Sequence, residues 1–303
     1  MKKDYKTLLA YLAVCFFWGS TYLAIKIGVK DFSPMLFGAA RFIIAGSLML
    51  IYAKIKKYPL PKGKKDYFSL GLSGLLMLLG GNGLVIFAEQ WMASGITALL
   101  IATVPLFITL QEAIIFREQK PSFLTIIGLL LGFGGVYYLA SSEGISGNSD
   151  LRGILMVLSA SFFWALGSLY SRNYKTEYSL IPGIGLRMIA GGLGMLLVAM
   201  IRGEFMTFTY SSDSVLALFY LIFFGSIVGY SSYIYVLSKW PAAKAGTYAY
   251  VNPAVAVLLG ALILHEKITL NVVVSLAIII FSIILVQKSK IVILEPKVAK
   301  AER

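Results

Sequence analysis

The sequence has few charged residues and few of the residue types that build catalytic or metal sites. Only 14% of its 303 residues are Asp, Glu, Lys or Arg, and it has one histidine and one cysteine. A lone Cys15 cannot form an intrachain disulfide, and a lone His265 leaves no cluster for a metal. We therefore expect no cofactor, no metal and no enzyme built on a nucleophile with a paired base. The sequence also lacks a G-x-x-x-x-G-K-[ST] segment, which argues against direct use of ATP.

What the sequence has instead is long apolar runs. Hydrophobic residues make up 58% of the chain, and the mean hydropathy is +0.82. These values are typical of membrane proteins, whose spans need about 20 apolar residues each. Ten such runs cover residues 7–25, 34–53, 67–87, 95–116, 123–140, 151–170, 181–201, 215–236, 245–264 and 270–286. We predict an all-α integral membrane protein with ten transmembrane helices and short connections.

The basic residues are distributed unevenly between the two sides of the predicted membrane. Most of the 27 Lys and Arg residues fall before the first run, after the last, or in connections on the same side as the N-terminus. Connections rich in Lys and Arg stay in the cytoplasm. This bias predicts a multi-pass protein of the cytoplasmic membrane with both termini cytoplasmic. It also explains the net charge of +13 without a nucleic-acid partner.

The two halves of the chain share motifs at a nearly constant offset. The matching pairs are Phe16-Phe17-Trp18 with Phe162-Phe163-Trp164, Arg41 with Arg187, Pro105 with Pro253, and Arg117-Glu118 with His265-Glu266. They predict a first five-helix repeat over 1–145, a second over 146–290 and a cytoplasmic tail over 291–303. Five spans are an odd number, so the second copy must enter the membrane inverted. Two inverted repeats around a central cavity are typical of secondary transporters.

Two prolines at matching positions interrupt the fourth and ninth spans. Pro105 and Pro253 each remove one backbone hydrogen bond, and the carbonyl groups that this frees persist only inside protein or beside a wet cavity. A kink that only shapes packing is the alternative. We interpret both breaks as parts of a cavity wall. The predicted lining residues are Trp18, Tyr22, Asn82, Trp164, Ser168, Tyr248, Tyr250 and Asn252.

Four charged residues within or beside the spans are candidates for substrate contact or ion coupling, because charge is costly in a bilayer. Arg41 and Arg187 either extend to the interface or contact an anionic or zwitterionic substrate. Glu112 either carries a coupling proton or pairs with Arg117. Glu89 either meets Arg41 or forms an outer gate.

Several stretches resemble the EamA-like ten-helix members of the drug/metabolite transporter superfamily. They are "CFFWGSTYLAIKIG" from Cys15, "RFIIAG" from Arg41, "GGNGLVIFAEQ" from Gly80, "SGITALLIATVPLF" from Ser94, "FWALGSLYSR" from Phe163, "TYAYVNPAVAVLLG" from Thr247 and "LHEKIT" from Leu264. The resemblance runs from the first span to Val286. It implies inverted repeats, a central cavity and alternating access, and it favours export over import. It does not imply one substrate.

We therefore predict a secondary active transporter of small organic metabolites, such as amino-acid-like or amphipathic compounds. Its expected partners are the substrate, bilayer lipids, and a proton or counter-solute. A passive channel or facilitator is the alternative, since saturation and counter-transport are what distinguish a carrier. A non-transporting scaffold would give the matched prolines and charges no role. The pairs Gly128 with Gly132 and Gly225 with Gly229 either pack within the chain or form a homodimer face.

Overall fold

The structure, a computed structural model, describes residues 5–116, 119–120, 122–143, 151–173, 179–206, 209–288 and 292–293. The helices of the first half are α1 (Tyr5–Gly28), α2 (Pro34–Ile55), α3 (Lys64–Ala88), α4 (Ser94–Ile114) and α5 (Phe123–Glu143). Those of the second half are α6 (Leu151–Asn173), α7 (Leu180–Ile201), α8 (Ser212–Lys239), α9 (Gly246–Leu264) and α10 (Leu270–Lys288). A helical turn at Ala242–Ala245 precedes α9.

Eight of the helices in the described residues, α1 to α4 and α6 to α9, are long and apolar enough to cross a membrane. Two shorter apolar segments, Phe123–Tyr138 of α5 and Leu270–Val286 of α10, accompany them. The prediction of a helical membrane protein is confirmed. Eight full-length spans and two shorter apolar helices stand where ten spans were predicted.

A two-residue strand pair is the only strand structure in these ranges. β1 (Gln119–Lys120) pairs antiparallel with β2 (Val292–Ile293). The strand β2 belongs to the predicted tail, whose other residues lie outside the described ranges, as do Arg117 and Glu118. The pair therefore joins the end of the chain to the connection after α4.

Side-chain contacts place four helix connections at one face of the molecule. We call the face at which α1 begins the proximal face, and the face at which it ends the distal face. The contacts at the distal face join Lys26 to Glu89 and Met92, Ser211 to Asp31, Glu204 to Met35, and Glu266 to Ser94. The connections after α1, α3, α7 and α9 therefore lie together, as expected for helices that cross in alternating directions.

Helix packing divides the molecule into a centre and a periphery. α2 packs along α7, and α5 packs along α10. The remaining helices surround the centre. A Cβ at Gly132 would lie 2.7 Å from Ser282 Oγ of α10, and one at Gly225 would lie 2.7 Å from Arg41 Nη2. In the structure these glycines pack against neighbouring helices of the same chain.

Irregular helical turns recur at matching places in the two halves. π-helical segments occupy Leu75–Gly83 in α3 and Leu221–Tyr230 in α8, so they begin 146 residues apart. In α4, the helix stops at Ile101 and a new segment runs over Val104–Ile114. In α9, a 3-10 segment over Gly246–Tyr250 gives way to an α-helical segment over Asn252–Leu264. Pro105 and Pro253 are each the second residue of the new segment, where a missing N–H costs no helical hydrogen bond. The prediction that each proline removes one helical hydrogen bond is therefore wrong.

Candidate functional site

A cavity of about 50 Å³ lies at the centre of the helices. Its walls include six of the predicted residues, namely Trp18, Tyr22, Arg41, Asn82, Trp164 and Tyr248. Sites for organic ligands usually measure about 300–1,000 Å³. The central cavity can therefore hold a few water molecules, and it is too small for an organic ligand in this conformation.

Aromatic rings form much of this wall. Trp18 and Trp164, which occupy matching positions in the two halves, meet edge to face with ring centroids 5.3 Å apart. Tyr248 packs on Trp18 at 4.9 Å. Tyr233 of α8 contacts all three rings and lies about two turns nearer the proximal face than Gly225, whose carbonyl oxygen accepts a hydrogen bond from Trp18 Nε1. These rings close the central cavity on its proximal side.

Arg41 is the cation of the central cavity. It is 2% exposed, so it does not extend to the interface. Its Nε donates a hydrogen bond of 2.8 Å to Ser226 Oγ, and Nη1 has no partner among the described residues. Within those residues no carboxylate forms an ion pair with it. A buried guanidinium without an anion is costly, which makes Arg41 a natural contact for an anionic group.

A second donor lies in the same wall. Trp164 Nε1 is buried and makes no well-aligned hydrogen bond in the described part of the chain, although the hydroxyl groups of Tyr233 and Tyr248 lie near it. Asn82 adds an amide that can donate and accept. The cavity thus offers a cation, a neutral donor and aromatic surface. This combination suits a small molecule that carries an acidic group and an apolar body.

The other two charged candidates within the spans are satisfied by the protein itself. Arg187 Nε donates to Ser73 Oγ (3.1 Å) and Nη2 donates to Ser171 Oγ (2.8 Å). Glu112 forms an ion pair of 3.6 Å with Arg172. Its predicted partner Arg117 lies outside the described residues. Arg187 and Glu112 are therefore structural in this conformation.

Two other predicted wall residues, Asn252 and Ser168, do not line the central cavity but contact residues that do. With its amide oriented to suit its surroundings, Asn252 Nδ2 donates to the carbonyl oxygens of Cys15 (3.0 Å) and Tyr248 (3.2 Å). Asn252 thus satisfies a carbonyl group next to the break in α9. Ser168 donates to the Trp164 carbonyl oxygen and shares a 2.9 Å hydrogen bond with the Tyr233 hydroxyl. The Tyr250 side chain lies outside the described part of the structure.

A larger cavity of about 1,400 Å³ opens at the distal face between α1, α8 and α9. α1 separates it from the central cavity, because Trp18 and Tyr22 face the centre whereas Ser20, Leu23 and Ile27 face the distal cavity. The distal cavity therefore ends at α1 and does not reach the central cavity in this conformation.

The distal end of α1 is fastened to the connection after α3. Lys26 Nζ donates to the carbonyl oxygens of Glu89 (2.6 Å) and Met92 (2.8 Å). Glu89 is fully buried and does not contact Arg41. The sequence analysis did not select Lys26, because its acceptors are backbone atoms that have no signature in the side-chain pattern.

Glu266 holds the two halves together at the same face. Its carboxylate accepts hydrogen bonds from Ser94 N (2.8 Å), Ser94 Oγ (2.9 Å) and Gly95 N (3.2 Å). An acidic side chain at these amides caps the first turn of α4 and complements its helix dipole. The repeat match at Glu266 indicated a special position, although not this contact.

Gly229 of α8 allows Trp18 to reach its place in the wall. A Cβ at Gly229 would contact Trp18 Nε1 and lie 2.8 Å from Cδ1. We expect Gly229→Ala to displace the indole and lower stability by about 1–3 kcal/mol, as overpacking does. Thermal unfolding in detergent would measure this. Gly71→Ala in α3 is the matched control, because a Cβ there meets nothing within 4 Å. An equal fall in both variants would contradict the explanation.

Long apolar helices surround a small central cavity that holds a cation with no ion-pair partner among the described residues, and together they define a multi-pass membrane transport protein. The chain belongs to the EamA-like transporter family, whose family model matches residues 5–141 and 151–287. One match falls on each half of the chain. The resemblance noted in the sequence is thereby confirmed.

Comparisons with known proteins agree with this assignment. The chain is 37% identical to the "Uncharacterized inner membrane transporter YedA" of Escherichia coli (strain K12) over 282 residues, which cover 93% of this chain and 90% of that protein. It is 26% identical to the "Uncharacterized transporter YoaV" of Bacillus subtilis (strain 168), covering 88% and 92%. A crystal structure of a protein with 17% sequence identity matches with a TM-score of 0.67 over 94% of this chain and 98% of that one, which shows a shared fold.

Proposed function

We propose that this transporter is a secondary carrier for small organic acids or zwitterions with an apolar body. The observation that carries the proposal is the buried Arg41, whose Nη1 has no partner among the described residues and whose side chain lines the central cavity. The indole of Trp164 offers a second donor to the same space. An acidic substrate would neutralise the guanidinium, and its apolar body would pack on the aromatic rings.

Alternating access is the proposed mode of transport, with the second half of the chain inverted relative to the first. The central cavity of about 50 Å³ is too small for an organic solute, so helices must separate before one can enter. The proximal closure by Tyr233 and the distal contacts of Lys26 and Glu266 are the proposed gates. A permanently open channel would not need gates on both sides of one site.

The proposed setting is the cytoplasmic membrane, with the proximal face in the cytoplasm and export as the direction of net movement. The Lys- and Arg-rich connections support this orientation. Direction rests on the family resemblance alone, and proton or solute exchange would supply the driving force.

The first test is a thermal-stability screen of the purified protein against amino acids, other organic acids and zwitterions. A ligand that binds only the folded state stabilises it by about 2.7 kcal/mol at 100 times its Kd. We expect acids to raise the melting temperature and their methyl esters to bind about tenfold more weakly, because the ester loses the charged contact to Arg41. Arg41→Gln should remove this preference, whereas Arg187→Gln should keep it.

Counterflow then separates a carrier from the alternative, a channel. Proteoliposomes loaded with the unlabelled ligand should transiently accumulate the labelled ligand above its outside concentration. A channel would only equilibrate it. A screen in which no acid binds, or a preference for the acid that survives Arg41→Gln, would contradict the proposed substrate class.

A further inference from the structure

Glu89 is a buried carboxyl group that accepts no hydrogen bond from the described residues. It follows the last residue of α3 and is 0% exposed. Neither carboxylate oxygen has a hydrogen-bond partner among the described residues. An ionised carboxylate can accept about four hydrogen bonds, and its burial without any of them is strongly unfavourable. The protonated, neutral carboxyl group is therefore the form that suits this conformation.

Lys26, a neighbouring cation, does not supply the hydrogen bonds that the Glu89 carboxylate lacks. Lys26 donates to the backbone carbonyl oxygens of Glu89 and Met92 and forms no ion pair with the Glu89 carboxylate. Burial raises the pKa of the Glu89 carboxyl well above its usual range, the charge of Lys26 opposes that shift, and Glu266 adds to it. The Glu266 charge is itself balanced by the hydrogen bonds from Ser94 and Gly95.

The remaining titratable and charged groups around this end of α3 are occupied or face other spaces. Tyr22 of α1 and Arg41 of α2 line the central cavity, and Lys30 and Asp31 line the distal cavity. Arg202, after α7, pairs with Glu204 and stacks on Phe87. Arg152 of α6 is exposed. Among the described residues, Lys26 and Glu266 are the charged groups that act on the Glu89 carboxyl, and Glu89 in turn acts on Tyr22. The ionisation of Glu89 is thus set locally, at the boundary between the two cavities.

We propose that Glu89 is the proton-binding site of this carrier, and that closing the distal face takes up one proton on its carboxylate. When the distal face is open, water reaches Glu89 and Lys26 leaves the two carbonyl oxygens to pair with the ionised carboxylate. Closing the face removes that water, so a proton from the distal solution must neutralise the carboxylate. The inference rests on the proposed alternating-access carrier, and it identifies the proton as the coupling ion.

The position of Glu89 suits this role. Val85, one turn earlier on α3, lines the central cavity. Glu89 lies at the wall of the distal cavity, but both its carboxylate oxygens are buried from solvent. A change at the end of α3 can therefore be transmitted to the substrate site within one turn of helix. Acidification of the distal side would favour the closed state, because protonation removes the cost of burying the charge.

The first arm of the test measures protonation directly. Infrared spectra of the reconstituted, ligand-free protein should show a protonated carboxylic acid C=O band at neutral pH. We expect Glu89→Gln to lose this band. Glu204→Gln is the matched control and should keep the band. Glu204 is also buried at the distal face, but its carboxylate accepts hydrogen bonds from Met35 N and Leu36 N. A band that survives Glu89→Gln, or no band in the unaltered protein, would overturn the proposal.

The second arm measures the linkage to conformation. Spin labels at positions 213 and 268, both exposed near the distal face, report its opening as a distance distribution. For one linked proton, the ratio of closed to open molecules should fall up to about tenfold for each unit by which the pH rises, in the range between the pKa values of Glu89 in the open and closed states. Glu89→Gln should stay closed at every pH, and Glu89→Asp should keep a pH response. A response unchanged in Glu89→Gln, or absent in the unaltered protein, would overturn the proposal.

Neither arm uses substrate, so the two proposals can fail independently. If the pH linkage were absent but counterflow intact, the proposed carrier function would stand and the proposed role of Glu89 as a proton site would fail. An intact pH linkage without any acid that binds would leave the proton site and remove the proposed substrate class.

Discussion

Replacing Arg41 with methionine is expected to raise the melting temperature of the ligand-free protein while abolishing its stabilisation by an acidic ligand. The guanidinium is buried with one hydrogen bond, from Nε to Ser226 Oγ, and without an ion pair in the described residues. Exchanging buried charged groups for apolar side chains of similar size is often neutral or stabilising by about 1–4 kcal/mol. Sites that serve function commonly reduce stability in this way. A rise of at least about 2 °C in thermal unfolding would meet the expectation.

The matched control is Arg187→Met, at the corresponding position of the second half. Arg187 donates to Ser73 and Ser171, so its loss leaves satisfied partners without a donor and should lower the melting temperature. Opposite signs for the two arginines are the expected result. Equal falls would mean that Arg41, like Arg187, is a structural residue, and the anion-binding interpretation would lose its main support.

Replacing Glu266 with alanine is expected to destabilise the distal closure by about 2–4 kcal/mol. The change removes charge-assisted hydrogen bonds to the first turn of α4, and such bonds are individually worth about 1.5–3 kcal/mol. Because the contact joins the α9–α10 connection to the first half, both a lower melting temperature and an opened distal face should follow. Thermal unfolding and the spin-label distances described for Glu89 would measure the two effects.

A second variant tests the same contact without changing the carboxylate. A Cβ at Gly260 of α9 would collide with Glu266 Oε2 and lie 2.9 Å from Ser94 Oγ. Gly260→Ala should therefore reproduce much of the Glu266→Ala effect, and Glu266→Gln should be milder because its amide oxygen still accepts. If Gly260→Ala left both the melting temperature and the distal face unchanged, Glu266 would not be a closing contact.

The sequence was sufficient for features that depend on composition and on repetition. Apolar runs predicted the helices. The motif match at Trp18 and Trp164 predicted a paired wall, and the structure places these two rings in contact. Partners from distant helices could not be predicted. Arg41 and Arg187 occupy matching positions, yet their serine partners, Ser226 against Ser73 and Ser171, do not match one another. The same limit applies to Glu112, whose partner Arg172 lies on another helix.

The contact between Trp18 and Trp164 has a consequence for how substrate would be handled. In the proposed cycle the two halves exchange conformations, which converts a contact at one face into its counterpart at the other. Trp18 and Trp164 occupy matching positions, so exchanging the conformations of the two halves turns their contact into itself. This ring pair would therefore stay in place while the gates on either side alternate. The pair would be the fixed point of the cycle, and a bound molecule would rest on the same aromatic surface whether it faces the proximal or the distal solution.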